Sequence, residues 1–157
     1  MTSPSSGRRG AGKPHPSETA VDADRPPLFV ASIVVRWRDL DAFNHVNNAT
    51  YLTYLEEARL QWLRHVPDWF NDHAMPVLAA CQLNYRRPIS WPAELKVALG
   101  CEHLGRSSIT ITHRVVDTAD PACLYNDGHV VMAWMDPANG RAVALPQSIR
   151  EAATPKP

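Results

Sequence analysis

A single stretch of helical periodicity, set among segments whose apolar residues alternate, limits what this chain can fold into more than any other feature. From Asn48 to His65, Tyr51, Leu55, Ala58 and Trp62 recur at helical spacing, flanked by Leu52 and Leu63. Residues so spaced share one helix face. Asn47 or Asn48 suits the N-cap, and Pro67 stops the helix just past its end. The pattern predicts a helix of about 18 residues, ~27 Å at the usual rise. Elsewhere the period is two. Phe29, Ala31, Ile33, Val35 and Trp37 alternate, and so do Met75, Val77, Ala79, Cys81, Leu83 and Tyr85. Leu95, Val97, Leu99 and Cys101 form a third set, Ile109, Ile111 and Val115 a fourth. A last strand is expected from about Cys123 to Asp136, ending at the turn signal DPANG. One helix among antiparallel strands can bury its stripe only against a sheet face, which predicts an α+β layer fold.

The ends of the chain read differently. Residues 1–27 are rich in Ser, Gly, Pro and Arg and hold Pro4, Pro14, Pro16, Pro26 and Pro27. Such a stretch buries too little apolar area to offset ordering entropy, so a disordered arm is expected. Residues 151–157 (EAATPKP) are expected to form a shorter frayed tail. The remaining span, 28–150, is read as one domain of about 120 residues, an ordinary domain size. The 157 residues carry 16 Lys+Arg against 16 Asp+Glu, a formal net charge of zero. That balance argues against nucleic acid or an acidic membrane as partner. No apolar run approaches the ~20 residues of a membrane span. With no apolar core for a signal peptide, the expected location is cytoplasmic. Cys81, Cys101 and Cys123 form no CxxC pair and are read as buried free thiols. The seven histidines show no HxxxH or HxH pairing, so no metal site is expected.

The stretch Arg36–Arg59, RWRDLDAFNHVNNATYLTYLEEAR, sets two Asp, one His, three Asn and two Glu around the predicted helix start. A helix N-terminus offers unpaired N–H groups and partial positive charge, which can polarise a carbonyl or hold an oxyanion. A carboxylate just upstream can attack that carbonyl or activate water against it. On spacing alone, Asp39, Asp41 and the asparagines serve equally well as Asx turns and a cap.

This stretch resembles the acyl-CoA thioesterases of the hotdog fold, in the group similar to 4-hydroxybenzoyl-CoA thioesterase. The resemblance is carried by Trp37-Arg38-Asp39-Leu40-Asp41-Ala42-Phe43-Asn44-His45-Val46-Asn47-Asn48, then Tyr51-Leu52 and Glu57-Ala58-Arg59. NYRRPI (84–89), LGRSSITI and GRAVALPQSIREA extend it over the rest of the domain. It implies a hotdog architecture, in which an antiparallel sheet of about five strands wraps one long central helix. It also implies acyl-CoA hydrolysis with Asp41 as nucleophile or general base, and with the backbone N–H near Asn48 polarising the thioester carbonyl. His45 and Asn47 are expected to shape the loop and to place water or substrate. Asn44 stands where the family usually has Gly; Asn tolerates a positive φ better than other residues, so the loop is expected to survive. A thiolate leaves more readily than an amine, so this small apparatus needs no Ser–His–Asp triad. No GxSxG elbow occurs.

Glu56 is a candidate supporting carboxylate, with Glu57 beside it; both also suit a solvated helix face. Arg86, Arg87, Arg106 and Ser107 are candidates for holding the phosphates of coenzyme A, which enters as part of the substrate and not as a cofactor. His103, His113 and His129, together with Trp62, Trp69, Trp91 and Trp134, are read as structural. The resemblance further implies a homodimer or homotetramer, with the site built between protomers. Two other functions fit the residues: a hotdog enoyl-CoA hydratase or dehydratase using Asp41 with His45, and a non-catalytic acyl-CoA binding protein.

Overall fold

The computed structural model describes residues 26–154. Most of the N-terminal arm expected over 1–27 lies outside the described residues, as do 155–157. The chain runs β1 (Phe29–Val34), a 3-10 turn (Trp37–Asp39), α1 (Thr50–Leu63), β2 (Met75–Tyr85), β3 (Glu94–Leu104), β4 (Ser108–Asp117), β5 (Leu124–Met135) and α2 (Gln147–Ala153). The five strands form one sheet in the order β1-β3-β4-β5-β2, antiparallel throughout. The alternation is realised where the sheet has one covered face: Ala31, Ile33, Leu95, Val97, Leu99, Ile109, Ile111, Val115 and Val130 are all buried. The α1 stripe of Tyr51, Tyr54, Leu55, Ala58, Trp62 and Leu63 joins the same core.

α1 has 14 residues, fewer than the periodicity predicts. Its start is delayed by a local turn. Asn47 Oδ1 accepts the Ala49 N–H at 2.9 Å and the Asn47 carbonyl accepts the Thr50 N–H at 2.8 Å. The N-cap is therefore Ala49, and neither Asn47 nor Asn48. At the other end His65 and Val66 turn back to Trp62 and Leu63 over three residues, which tightens the last turn ahead of Pro67.

Two further expectations are corrected. Residues 151–153 are no frayed tail: they complete α2, where Ile149 and Ala153 are buried. Arg150 secures that helix by donating to the carbonyls of Gly105 at 2.9 Å and Arg106 at 2.8 Å. The apolar set of β2 does not share one face either. Pro76 and Leu78 stand opposite Trp134 and Met132; a bulge at Ala79 follows, after which Cys81, Leu83 and Tyr85 stand opposite Val130, Gly128 and Asn126. Opposed residues of an antiparallel pair share a face, so the bulge exchanges the faces and sends Met75 and Val77 outward. Gly128 serves the close approach here, since a Cβ at its φ of +152° would collide with the Gln82 carbonyl.

β1 is shorter than its alternation: it ends at Val34, and Trp37, in the 3-10 turn, is exposed. The cysteines are free but not buried, with Cys81 exposed and the other two half-buried. Among the described residues no helix is long and apolar enough to cross a membrane. Leu55 lies at the centre of the α1 stripe with 1% exposure. Leu55→Ala is expected to lower unfolding free energy by about 3 kcal/mol, through lost transfer energy and a cavity. Urea denaturation with an unchanged slope checks it.

Candidate active site

The loop between the 3-10 turn and α1 is drawn tight by backbone and side-chain bonds. Leu40 and Val46 form an isolated bridge, and the Asn47 N–H donates to the Asp39 carbonyl at 2.9 Å. Val46 N–H reaches the Ile89 carbonyl at 2.8 Å, while His45 bridges Ser90, so the loop is stitched to the segment after β2. Within it, the Asp41 N–H donates to the His45 carbonyl at 2.7 Å. Asp41 Oδ1 accepts the N–H groups of Phe43 at 2.8 Å and His45 at 3.2 Å. Asn44 adopts φ +60°, the left-handed conformation expected at this position.

These contacts orient the Asp41 carboxylate from one side. Its other oxygen, Oδ2, has no protein partner among the described residues. At the far end of the same loop the Asn48 backbone N–H also has no protein acceptor among the described residues. The Tyr85 hydroxyl donates to the Asn48 carbonyl at 3.0 Å, and its ring meets Tyr51 edge-on at 5.0 Å. A lone carboxylate oxygen and a lone backbone donor thus flank the Leu40–Val46 bridge, at the start of α1. Asp39, the other motif carboxylate, is committed to structure. Its Oδ2 accepts the Tyr54 hydroxyl at 2.7 Å and the Arg36 N–H at 2.9 Å. Burial and that bond to Asp39 raise the Tyr54 hydroxyl well above the ordinary tyrosine range.

The remaining candidates disperse. Asn47 shapes the turn through its Oδ1, and His45 contributes its backbone groups to the loop. Glu56 is exposed, eight residues past Asn48, an axial rise of ~12 Å. Arg86 pairs with Asp127 at 3.1 Å. Arg87 is exposed at the same end of the sheet as Asp41 and touches Cys123 Sγ at 4.0 Å. Arg106 and Ser107 sit in the β3–β4 turn, at the opposite end of an 11-residue strand from the Asp41 loop. One protomer does not bring them to Asp41. Among the described residues no group of three or more His, Cys, Asp or Glu could hold a metal.

Sequence reasoning missed Tyr54 and Tyr85. Tyr54 lies on the helix face it secures and could have been read from the stripe. Tyr85 is 37 residues from Asn48, and no local pattern announces their bond.

A sequence model of the thioesterase-like superfamily matches residues 35–153. The chain belongs to that superfamily. Long-chain acyl-CoA thioesterase FadM of Escherichia coli K12 is 31% identical over 76% of this chain and 92% of its own length. Among solved structures, the PA2801 protein of Pseudomonas aeruginosa has a TM-score of 0.77 at 37% identity, covering 82% of this chain and 99% of that one. A thioesterase from Thermus thermophilus, solved with coenzyme A and zinc, has a TM-score of 0.68 at 35% identity. It covers 81% of this chain and 92% of that one. The five-stranded antiparallel sheet and its helix are the hotdog fold of this superfamily.

Inside that fold, His113 is an acid-sensitive element. It is 1% exposed, and burial, only partly offset by its bond to Asn126, holds its pKa down at about 4. The unfolded imidazole, with an ordinary value near ~6.5, binds its proton first as pH falls. Its contribution is fully present above about pH 6.5 and is lost as pH drops toward ~4. Between pH 7 and 4.5 unfolding free energy is expected to fall by roughly 1–3 kcal/mol from this group, and His113→Gln is expected to flatten the curve. Urea titrations across that range check it.

Proposed function

We propose that this superfamily member is an acyl-CoA thioesterase of the group resembling 4-hydroxybenzoyl-CoA thioesterase, releasing free acid and coenzyme A. The observation that carries this reading is the pair of unpartnered groups at one loop: Asp41 Oδ2 and the Asn48 N–H. A thioester carbonyl seated between them would accept a hydrogen bond from Asn48. Negative charge gathering on its oxygen as the carbonyl is attacked is stabilised by that donor and by the helix start. Asp41 Oδ2 either attacks the carbonyl carbon, giving a mixed anhydride that water then cleaves, or takes the proton of a water that attacks directly. In both routes the C–S bond breaks and the electron pair leaves on sulfur as thiolate. The names of the relatives support the acyl-CoA class.

A second copy along the β2 edge completes the reading. That edge strand carries Leu78 at 48% and Tyr85 at 49% exposure, and α1 adds Leu52 and Leu60 on its outward face. A long apolar edge left open invites pairing with another chain. An antiparallel copy would bring its own Arg106 and Ser107 to the sheet end that carries Asp41, toward the phosphates of coenzyme A. Arg87, already at that end, would serve with them, and Glu56 on the covered face would support the neighbouring site. Arg86 would join only by leaving Asp127. Two such dimers could associate further as a tetramer.

Asp41→Asn keeps an oxygen for the Phe43 and His45 N–H groups. It is expected to lower kcat by about 10²–10⁴-fold with an unchanged thermal midpoint. Thiol release over acyl-CoAs of different chain lengths measures it. Water addition to an enoyl-CoA without thiol release would overturn the hydrolase in favour of a hydratase. Binding of acyl-CoA with no turnover would favour a carrier. Leu78→Lys is expected to give monomers by sedimentation and a loss of at least tenfold in kcat/KM.

A further inference from the structure

The layer beneath α1 holds a charge that makes no hydrogen bond or ion pair among the described residues. Tyr51, Leu55, Ala58 and Trp62 mark the centre of the buried stripe, and Gln61 on one shoulder reaches toward the β1 carbonyl of Ser32 at 3.5 Å. Arg59 occupies the other shoulder, which faces the β4–β5–β2 half of the sheet. It is only 8% exposed, and its guanidinium has no hydrogen bond or ion pair among the described residues. Its electrostatic neighbours are Glu56 one turn back on α1, Cys81 on the inner face of β2 and His113 on the inner face of β4. His113 is itself unpartnered on one side. Its Nε2 meets Asn126 Oδ1 at 3.0 Å, and the Asn126 amide donates to the Asn84 carbonyl at 3.0 Å. The other ring nitrogen, Nδ1, has no protein partner among the described residues.

Buried polar groups are ordinarily paired, and a guanidinium cannot escape its charge by deprotonation. Arg59 presents donors, while the neutral His113, whose Nε2–H donates to Asn126 Oδ1, presents Nδ1 as an acceptor. Among the described residues no carboxylate lies at hydrogen-bond distance of either. Arg59 lies 11 residues beyond Asn48, an axial rise of ~16 Å, and helical side chains lean back toward the N-terminus. An acyl chain whose carbonyl rests at Asn48 and which runs along α1 meets this pair at its far end.

We infer that Arg59 and His113 form the polar end of the acyl pocket and select acyl groups that carry an oxygen function remote from the thioester. The inference rests on the thioesterase reading and adds its substrate class. A carboxylate suits the planar guanidinium fork of Arg59, and a hydroxyl suits both groups, accepting from Arg59 and donating to His113 Nδ1. A plain alkyl chain leaves both groups unpaired, the situation in which polar sites discriminate most strongly.

The test compares thiol release from octanoyl-CoA, 8-hydroxyoctanoyl-CoA and the CoA monothioester of octanedioic acid. Calorimetric binding of octanoate and octanedioate to the wild-type protein accompanies it. The wild type is expected to favour the oxygenated substrates by at least tenfold in kcat/KM, and to bind octanedioate more tightly than octanoate. In Arg59→Met the preference for both oxygenated substrates is expected to fall toward one, in His113→Leu the preference for the hydroxy substrate is expected to fall, and Arg59→Lys keeps part of the carboxylate preference. Thiol release without preference, together with equal binding of the two acids, overturns this inference and leaves the thioesterase reading intact. Tighter octanedioate binding without thiol release from any substrate overturns the thioesterase reading and supports the polar pocket. Variants that fail to fold leave the wild-type ratio and the binding comparison to decide.

Discussion

Burial of one face of α1 against the inner face of the sheet is the constraint on which the rest of this structure depends. The sheet has a single covered face, and α1 supplies most of the apolar surface that covers it. Seating the helix there also fixes where its N-terminus points. The loop that precedes it must return from the end of β1, and it does so through the Leu40–Val46 bridge and the bond from Asn47 to Asp39. The same packing that stabilises the domain therefore fixes the loop that carries Asp41 and the Asn48 N–H. Each fully buried leucine in that layer contributes about 2 kcal/mol, so geometry and stability cannot be separated at the site.

The two motif aspartates show how one short segment divides its labour. Asp39 is taken up by Tyr54 and by the Arg36 N–H, which hold the 3-10 turn against the helix. Asp41 commits one oxygen to its own loop, and the other has no partner among the described residues. A half-satisfied carboxylate is oriented yet available, as the proposed attack on a thioester or on water requires. Tyr85 adds a restraint from the far strand by holding the Asn48 carbonyl. The polar groups under α1 follow a different logic. Arg59 and His113 lie in a largely apolar layer, and among the described residues neither the guanidinium nor His113 Nδ1 has a protein partner, which is the ground for the inferred polar end of the acyl pocket.

Much of the fold is legible because period-two segments and one helical stripe have few compatible arrangements. The strands match their alternation except where geometry departs from regularity. The bulge at Ala79 is invisible to alternation, since Met75, Val77, Ala79, Cys81, Leu83 and Tyr85 look continuous until the partner strand β5 sets the register. The helix start differs from its expected place because Asn47 can cap or turn with equal ease, and only the path of the loop makes it a turn. α2 is not legible because QSIREAA is short and weakly patterned, and its buried Ile149 and Ala153 gain their value from the sheet end they cover. At the site, Asp41, Asn44 and Asn48 are legible through their spacing in the motif. The surroundings of Tyr85, Arg59 and His113 are not, because they depend on which strands lie beneath the helix.

By itself, the sequence determined the layer architecture, the position of the loop that opens the helix and the residues that loop carries. These are local matters of period, turn chemistry and composition. Tertiary structure alone decided which aspartate is committed and which is available. It also set the sheet order that leaves β2 as an open apolar edge, and placed the buried Arg59 guanidinium beside a neutral histidine. Those outcomes depend on contacts between residues far apart in the chain, through burial and register, and neither quantity is defined until the sheet and the helix have met.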